Sequence, residues 1–156
     1  MMQKIKFIEK IKKNNIHLCI AESITGGRFT SEIVKVRGAS SFLDYSIVSY
    51  SNNSKSTFFE IESYIKRYGV VSSEVASKMA VKVIKYSSMK NKLGIACTGL
   101  ASNSSVIKNH KTGTVFIGIY YNKKSKVVKK EFKKKTRSQV ISLTVNEMFK
   151  QALLVI

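Results

Sequence analysis

The stretch HLCIAESITGGRF, residues 17–29, decides the fold. HLCIA is a compact apolar run suited to a buried strand, and it stops at Glu22, Ser23, Ile24, Thr25, Gly26 and Gly27. Beyond the glycines, Phe29, Ile33 and Val36 recur at helical spacing until Gly38 breaks the pattern. The unit is strand, tight polar turn, helix. Ligand sites in α/β sheets lie at the carboxyl ends of strands, where a turn hands the chain to a helix. Two glycines let the backbone turn sharply and present amides at a helix N-terminus, which favours a phosphate or a developing oxyanion. Ser23 projects from this turn. The plainer alternative is that Ser23 or Thr25 caps the helix that follows.

Working outward, Ile5, Ile8 and Ile11 lie three apart among lysines and predict a short amphipathic helix ending near Asn14 and Asn15. LDYSIVSYS, residues 43–51, predicts a second strand, followed by a polar turn at Asn52, Asn53 and Ser54. Short helical pieces are expected near residues 57–61 and 62–67. Residues 72–87 carry the clearest helical pattern, with Val75, Ala76, Met79, Ala80, Val83 and Ile84 on one face and Ser72 or Ser73 as N-cap. A strand over 93–97 runs into Thr98 and Gly99. After a polar loop over 101–112, GTVFIGIYY (113–121) and KVVKKEFK (126–133) predict a β-hairpin, and the last 20 residues a helix. Helices separating apolar strands, with no repeat and no linker, predict one α/β domain over residues 1–156, a three-layer α/β/α sandwich with a mixed central sheet.

Composition restricts the chemistry. The 156 residues include 28 Lys or Arg against 9 Asp or Glu, a formal net charge of +19. There are 24 lysines, four arginines, eight glutamates and one aspartate, Asp44, with two histidines, two cysteines and no proline or tryptophan. Paired-aspartate catalysis, an EF-hand loop and the four-cysteine or two-cysteine, two-histidine zinc sites therefore cannot be built. Cys19 and Cys97 are expected as free buried thiols. No apolar run reaches the roughly 20 residues that span a bilayer, and lysines scattered through the first 13 residues leave no signal-peptide core, so the chain reads as soluble and cytoplasmic. The charge also invites a nucleic-acid reading, and eight lysines crowd between 123 and 135. Phosphate and base contacts favour arginine, however, which is scarce here, and only Phe132 interrupts those lysines where aromatic stacking is needed. A lysine-rich compositional background accounts better for the charge.

A nucleophilic serine needs a base. His17 begins the first strand and His110 lies in an irregular loop, while Asp44 is the single aspartate a Ser-His-Asp triad could use. Lysine remains, provided that its pKa falls from about 10.4 toward neutrality. Of the 24, Lys55 follows YSNNS at the carboxyl end of the second strand. It shares a sheet edge with Ser23 if the two strands are parallel.

AESITGG, GASSFLDYSIVSYSNNSK, YGVVSSEVA, CTGLA and GTVFIGIY, in this order and spacing, resemble the CinA C-terminal domain family over about residues 3–153. The family's characterised members are nicotinamide-nucleotide amidohydrolases. The resemblance implies deamidation of nicotinamide mononucleotide to nicotinic acid mononucleotide and ammonia, without metal or organic cofactor, in pyridine nucleotide recycling by a homo-oligomer. Carried over motif by motif, the nucleophile falls on Ser23, the tyrosine and lysine of Y-S-N-x-x-K on Tyr50 and Lys55, the x-T-G threonine on Thr98, and the arginine opening the last helix on Arg137. The same motifs put Thr25, Gly26, Gly27, Asn52 and Gly99 with Thr98 and Arg137 at the substrate. Lys55, held neutral, takes the Ser23 proton; Tyr50 relays a proton or donates to the oxyanion with amides near Gly26 and Gly27; Arg137 binds phosphate or depresses the Lys55 pKa. The chain departs from the family where ASNSSVIKNHKT (101–112) replaces a glycine- and proline-rich loop, where FKKKTRSQVI keeps one arginine of two, and in lacking the N-terminal domain of longer members. The alternatives are a family member that binds without efficient turnover and a basic nucleic-acid-binding module.

Overall fold

The structure, a computed structural model, describes residues 2–102 and 110–156. Helix α1 (Met2–Lys13) leads into β1 (His17–Glu22), α2 (Arg28–Val34) and β2 (Leu43–Val48). Three helices follow, α3 (Asn52–Phe59), α4 (Glu62–Tyr68) and α5 (Ser73–Val83), then β3 (Lys92–Gly99), β4 (Thr114–Tyr121), β5 (Lys124–Glu131) and α6 (Arg137–Leu153). The strands form one sheet in the order β2-β1-β3-β4-β5. β1 pairs in parallel with both β2 and β3, while β3 with β4 and β4 with β5 are antiparallel. The sheet is therefore mixed, and the carboxyl ends of β1, β2 and β3 share one edge.

Alternation along the strands feeds two cores. Leu18 and Ile20 of β1, Ile95 and Cys97 of β3 and Ile117 and Ile119 of β4 pack under α1, α2 and α6, where Phe7, Phe29 and Phe149 fill the layer. Cys19, Ala21 and Ala96 face the opposite way, toward Phe59 of α3 and Val75, Met79 and Val83 of α5. The three layers expected from the sequence are thus present. The residues facing α5 are small because that helix lies close: a Cβ on Gly118 would sit 2.1 Å from the Ala76 carbonyl oxygen. Cys19 and Cys97 are free, buried and in opposite layers.

Several expectations shift. In α1 the inward residues are Phe7, Ile8 and Ile11, whereas Ile5 is 53% exposed; a strict three-residue repeat drifts off a 3.6-residue turn, and Phe7 takes the place of Ile5. The second strand ends at Val48, and Asn52, Asn53 and Ser54 form the first turn of α3 where the sequence suggested a polar turn. The lysines of β5 divide between its two faces, with Lys130 reaching Glu147 of α6 at 3.0 Å and Lys129 beside Glu131 at 2.7 Å. Most of the polar loop over 101–112, namely residues 103–109, lies outside the described residues. No helix among the described residues is long and apolar enough to cross a membrane.

Candidate active site

The turn after β1 is organised by Glu22, which is fully buried. Its carboxylate accepts hydrogen bonds from the amides of Gly27 (3.0 Å), Phe29 (3.1 Å) and Thr30 (2.8 Å) and from the Thr30 hydroxyl (2.5 Å). Helix α2 is therefore capped from the end of the preceding strand, with Gly27 as a residue at φ 93° that contributes no side chain. A negative charge beside a helix N-terminus is the favourable arrangement. Two sequence readings are corrected. Neither Ser23 nor Thr25 caps α2: the Thr25 hydroxyl contacts Cys97 Sγ at 3.1 Å, and Ser23 is left to the cavity. The amides of Gly26 and Gly27 are also spoken for, the first by the Ser23 carbonyl at 3.0 Å and the second by Glu22. An incoming anion finds no donors there. Among the described residues the Ile24 amide, directly after Ser23, has no hydrogen-bond partner.

Lys55 enters from α3. Ser51 accepts from the Ser54 amide at 3.0 Å, and Ser54 Oγ accepts from the Ser51 amide at 3.1 Å, a reciprocal cap that starts the helix and turns Lys55 inward. The side chain is 1% exposed. Its Nζ donates to the carbonyls of Ser49 (2.8 Å), Tyr50 (3.3 Å) and Ser51 (3.5 Å). Burial brings its pKa down to about 8, with Cys97 acting weakly in the opposite sense. Arg137 is not among the causes, which corrects the expectation that it depresses Lys55. At a pKa of about 8 roughly a tenth of Lys55 is neutral at pH 7, so the resting lysine is mostly charged, against the expectation that it is held neutral.

Arg137, the first residue of α6, instead donates to the Tyr50 hydroxyl through Nη2 and to Ser102 Oγ through Nη1 at 3.0 Å. Tyr50 is 58% exposed. Its oxygen accepts from Arg137 and its own proton remains free to donate. Thr98 is 1% exposed and donates to the Val70 carbonyl at 2.8 Å, so toward a ligand its hydroxyl can only accept.

These groups meet at one cavity of about 300 Å³. Ser23, Lys55, Tyr50, Asn52, Thr98, Gly99 and Arg137 line it, together with Ile24, Val70, Val71 and Leu100. Thr25, Gly26 and Gly27 do not; they shape the turn from behind. Neither His17, at the start of β1, nor His110, packed edge-on against Phe116, reaches the cavity. Sequence reasoning missed Glu22 and the Ile24 amide. Glu22 stands five residues before the glycine that opens α2, a spacing that allows contact with the helix amides without requiring it.

The CinA C-terminal domain family model matches residues 3–155. A CinA-like protein of Prochlorococcus marinus is 34% identical over 146 residues, a match covering 89% of this chain and 33% of that protein. The chain thus spans about a third of the length of the curated relatives it matches. In solved structures, a CinA superfamily protein of Escherichia coli superimposes with a TM-score of 0.91 at 21% identity, covering 99% of this chain and 88% of that one. The competence/damage inducible protein CihA of Agrobacterium tumefaciens gives 0.90 at 19% identity, covering 98% and 93%. These two likenesses concern the fold, and the match of residues 3–155 concerns the sequence. By the match over residues 3–155 and the 34% identity to the Prochlorococcus marinus relative, the chain belongs to the CinA C-terminal domain family.

Proposed function

We propose that the chain is an amidohydrolase that deamidates nicotinamide mononucleotide through a serine nucleophile and a lysine base. The observation that carries this reading is a fully buried lysine, its pKa lowered to about 8, lining the same cavity as a serine hydroxyl that has no hydrogen-bond partner among the described residues.

Deprotonated Lys55 keeps its two shorter contacts, to Ser49 and Tyr50, and frees the position now held by the long contact to Ser51. It takes the Ser23 proton as Oγ attacks the carboxamide carbon. The oxyanion is met by the Ile24 amide, next after the nucleophile, and by the Tyr50 hydroxyl. Lys55 returns the proton to the leaving nitrogen, ammonia departs, and water, deprotonated by the same lysine, hydrolyses the ester to free Ser23 and the carboxylic acid. Val70, Val71 and Leu100 offer an apolar wall to a pyridine ring, and Arg137 at the exposed mouth offers a fork to the phosphate. The cavity volume of about 300 Å³ lies at the small end of ligand sites.

The test is ammonia release from nicotinamide mononucleotide by the unaltered chain, Ser23→Ala and Lys55→Ala. The expected losses are about 10⁴-fold or more for Ser23→Ala and about 10²- to 10⁴-fold for Lys55→Ala. Equal rates from all three proteins, or no release by any of them, would sink the assignment.

A further inference from the structure

We infer that Glu22 is the positioning residue of this site: its carboxylate selects the conformation of the turn that aims Ser23 and the Ile24 amide into the cavity. The inference rests on Ser23 being the nucleophile. Within the turn itself, the Gly26 amide donates to the Ser23 carbonyl at 3.0 Å and the Arg28 amide to the Thr25 carbonyl at 3.1 Å. Gly26 and Gly27 sit at φ 59° and 93°, and a glycine pair has many conformations open to it. Thr25 is anchored through a sulfur, a weak partner. Against this, the Glu22 carboxylate is 0% exposed and takes four hydrogen bonds from Gly27 and the first turn of α2, more than the two backbone bonds within the turn supply.

The same residue joins three elements. Ser46 Oγ of β2 lies 2.7 Å from the Thr30 hydroxyl that bonds Glu22, so the carboxylate ties the end of β1 to α2 and, through Thr30, to β2. The Glu22 carbonyl accepts from the Ser49 amide at 2.8 Å, and the Ser49 carbonyl in turn accepts from Lys55 Nζ at 2.8 Å. Nucleophile and base are thus registered on opposite ends of one short chain of hydrogen bonds running through Glu22 and Ser49. A glutamine at this position has the same shape but replaces one oxygen by an NH₂. Whichever way its amide is turned, that NH₂ faces amide donors, at Gly27 and Phe29 or at Thr30, and the turn opens.

The experiment measures labelling of Ser23 by a fluorophosphonate, located by peptide mass, in the unaltered chain, Glu22→Gln and the milder Thr30→Val. It is run alongside kcat and KM for nicotinamide mononucleotide and a circular-dichroism melt of each protein. Expected in the folded variants is a fall in labelling rate and kcat of about 10- to 100-fold, larger for Glu22→Gln than for Thr30→Val, since misaiming by an ångström costs about that much. KM stays within about threefold, because the groups that bind substrate are untouched. Variants that melt lower yet label within about twofold of the unaltered rate would show that Glu22 only caps a helix. If Glu22→Gln does not fold, Thr30→Val decides by the same criterion. Absence of labelling in the unaltered chain also overturns the inference. The expected labelling pattern without ammonia release from the nucleotide would leave Glu22 in its role and remove the substrate assignment alone.

Discussion

Lys55 carries a positive charge into a cavity with no carboxylate among the described residues that line it. Below about pH 8 it is protonated in the folded and unfolded chains alike, and the cost of burying the charge is fully present. Between about 8 and 10.5 the unfolded chain still holds the proton and the folded chain does not, so stability rises with pH through that window. Contributions of all other groups cancel in a comparison with Lys55→Met. The unfolding free energy of the unaltered chain relative to Lys55→Met should climb by up to about 3 kcal/mol between pH 7 and 10.5, measured by denaturant titration; a difference that is flat or falls with pH would contradict the burial described for Lys55. At this scale the turn after the first strand pointed to Ser23, elimination of histidine and aspartate to a lysine base, and the place after YSNNS, with the family resemblance, to Lys55. The sequence did not lead to Glu22, because a carboxylate beside a serine is compatible with solvent, substrate or helix alike until the strand's end is set against the helix amides. Nor did it separate Arg137's contacts with Tyr50 and Ser102 from an influence on Lys55, since both follow from the same charge.

Among the elements, β1, its turn and α2 were legible because the apolar period changes from a continuous run to 3.6 residues across two glycines. Helix α3 was not. Ser-Asn-Asn-Ser is turn chemistry by composition, and only the reciprocal bonds of Ser51 and Ser54 make it the opening of a helix. That cap sets the direction in which Lys55 leaves the backbone. Ser51→Ala should lower stability by about 1 kcal/mol and reduce kcat more than KM is raised, read by thermal melts and steady-state kinetics; unchanged kcat would mean that α3 holds Lys55 without its cap. Helix α5 depends on an absent side chain. Gly118→Ala puts a Cβ 2.1 Å from the Ala76 carbonyl, a collision with backbone that no rotamer relieves, and should cost about 3 kcal/mol. A melting temperature within error of the unaltered chain would refute that close approach.

For the whole molecule, the charge of +19 works against compactness. The ion pairs found among the described residues, such as Lys82 and Lys85 on Glu60, lie largely at the surface and add little, while the uncompensated lysines repel one another. Raising salt from about 0.05 to 0.5 M should therefore raise the melting temperature by screening that repulsion; a fall would mean that ion pairs outweigh it. The three-layer architecture was legible despite the charge, because lysines occupy the faces that alternation sends to solvent and leave both cores apolar. Among the described residues Lys55 is the one buried lysine, and its place at the carboxyl end of the second strand set it apart from the others. The role of Lys55 as base is read from the pH dependence of kcat/KM for ammonia release from nicotinamide mononucleotide. A Lys55 base gives a rise with a midpoint at about pH 8 that is lost in Lys55→Ala; a profile that is flat from about pH 6 to 10, or one that Lys55→Ala leaves in place, rules that role out.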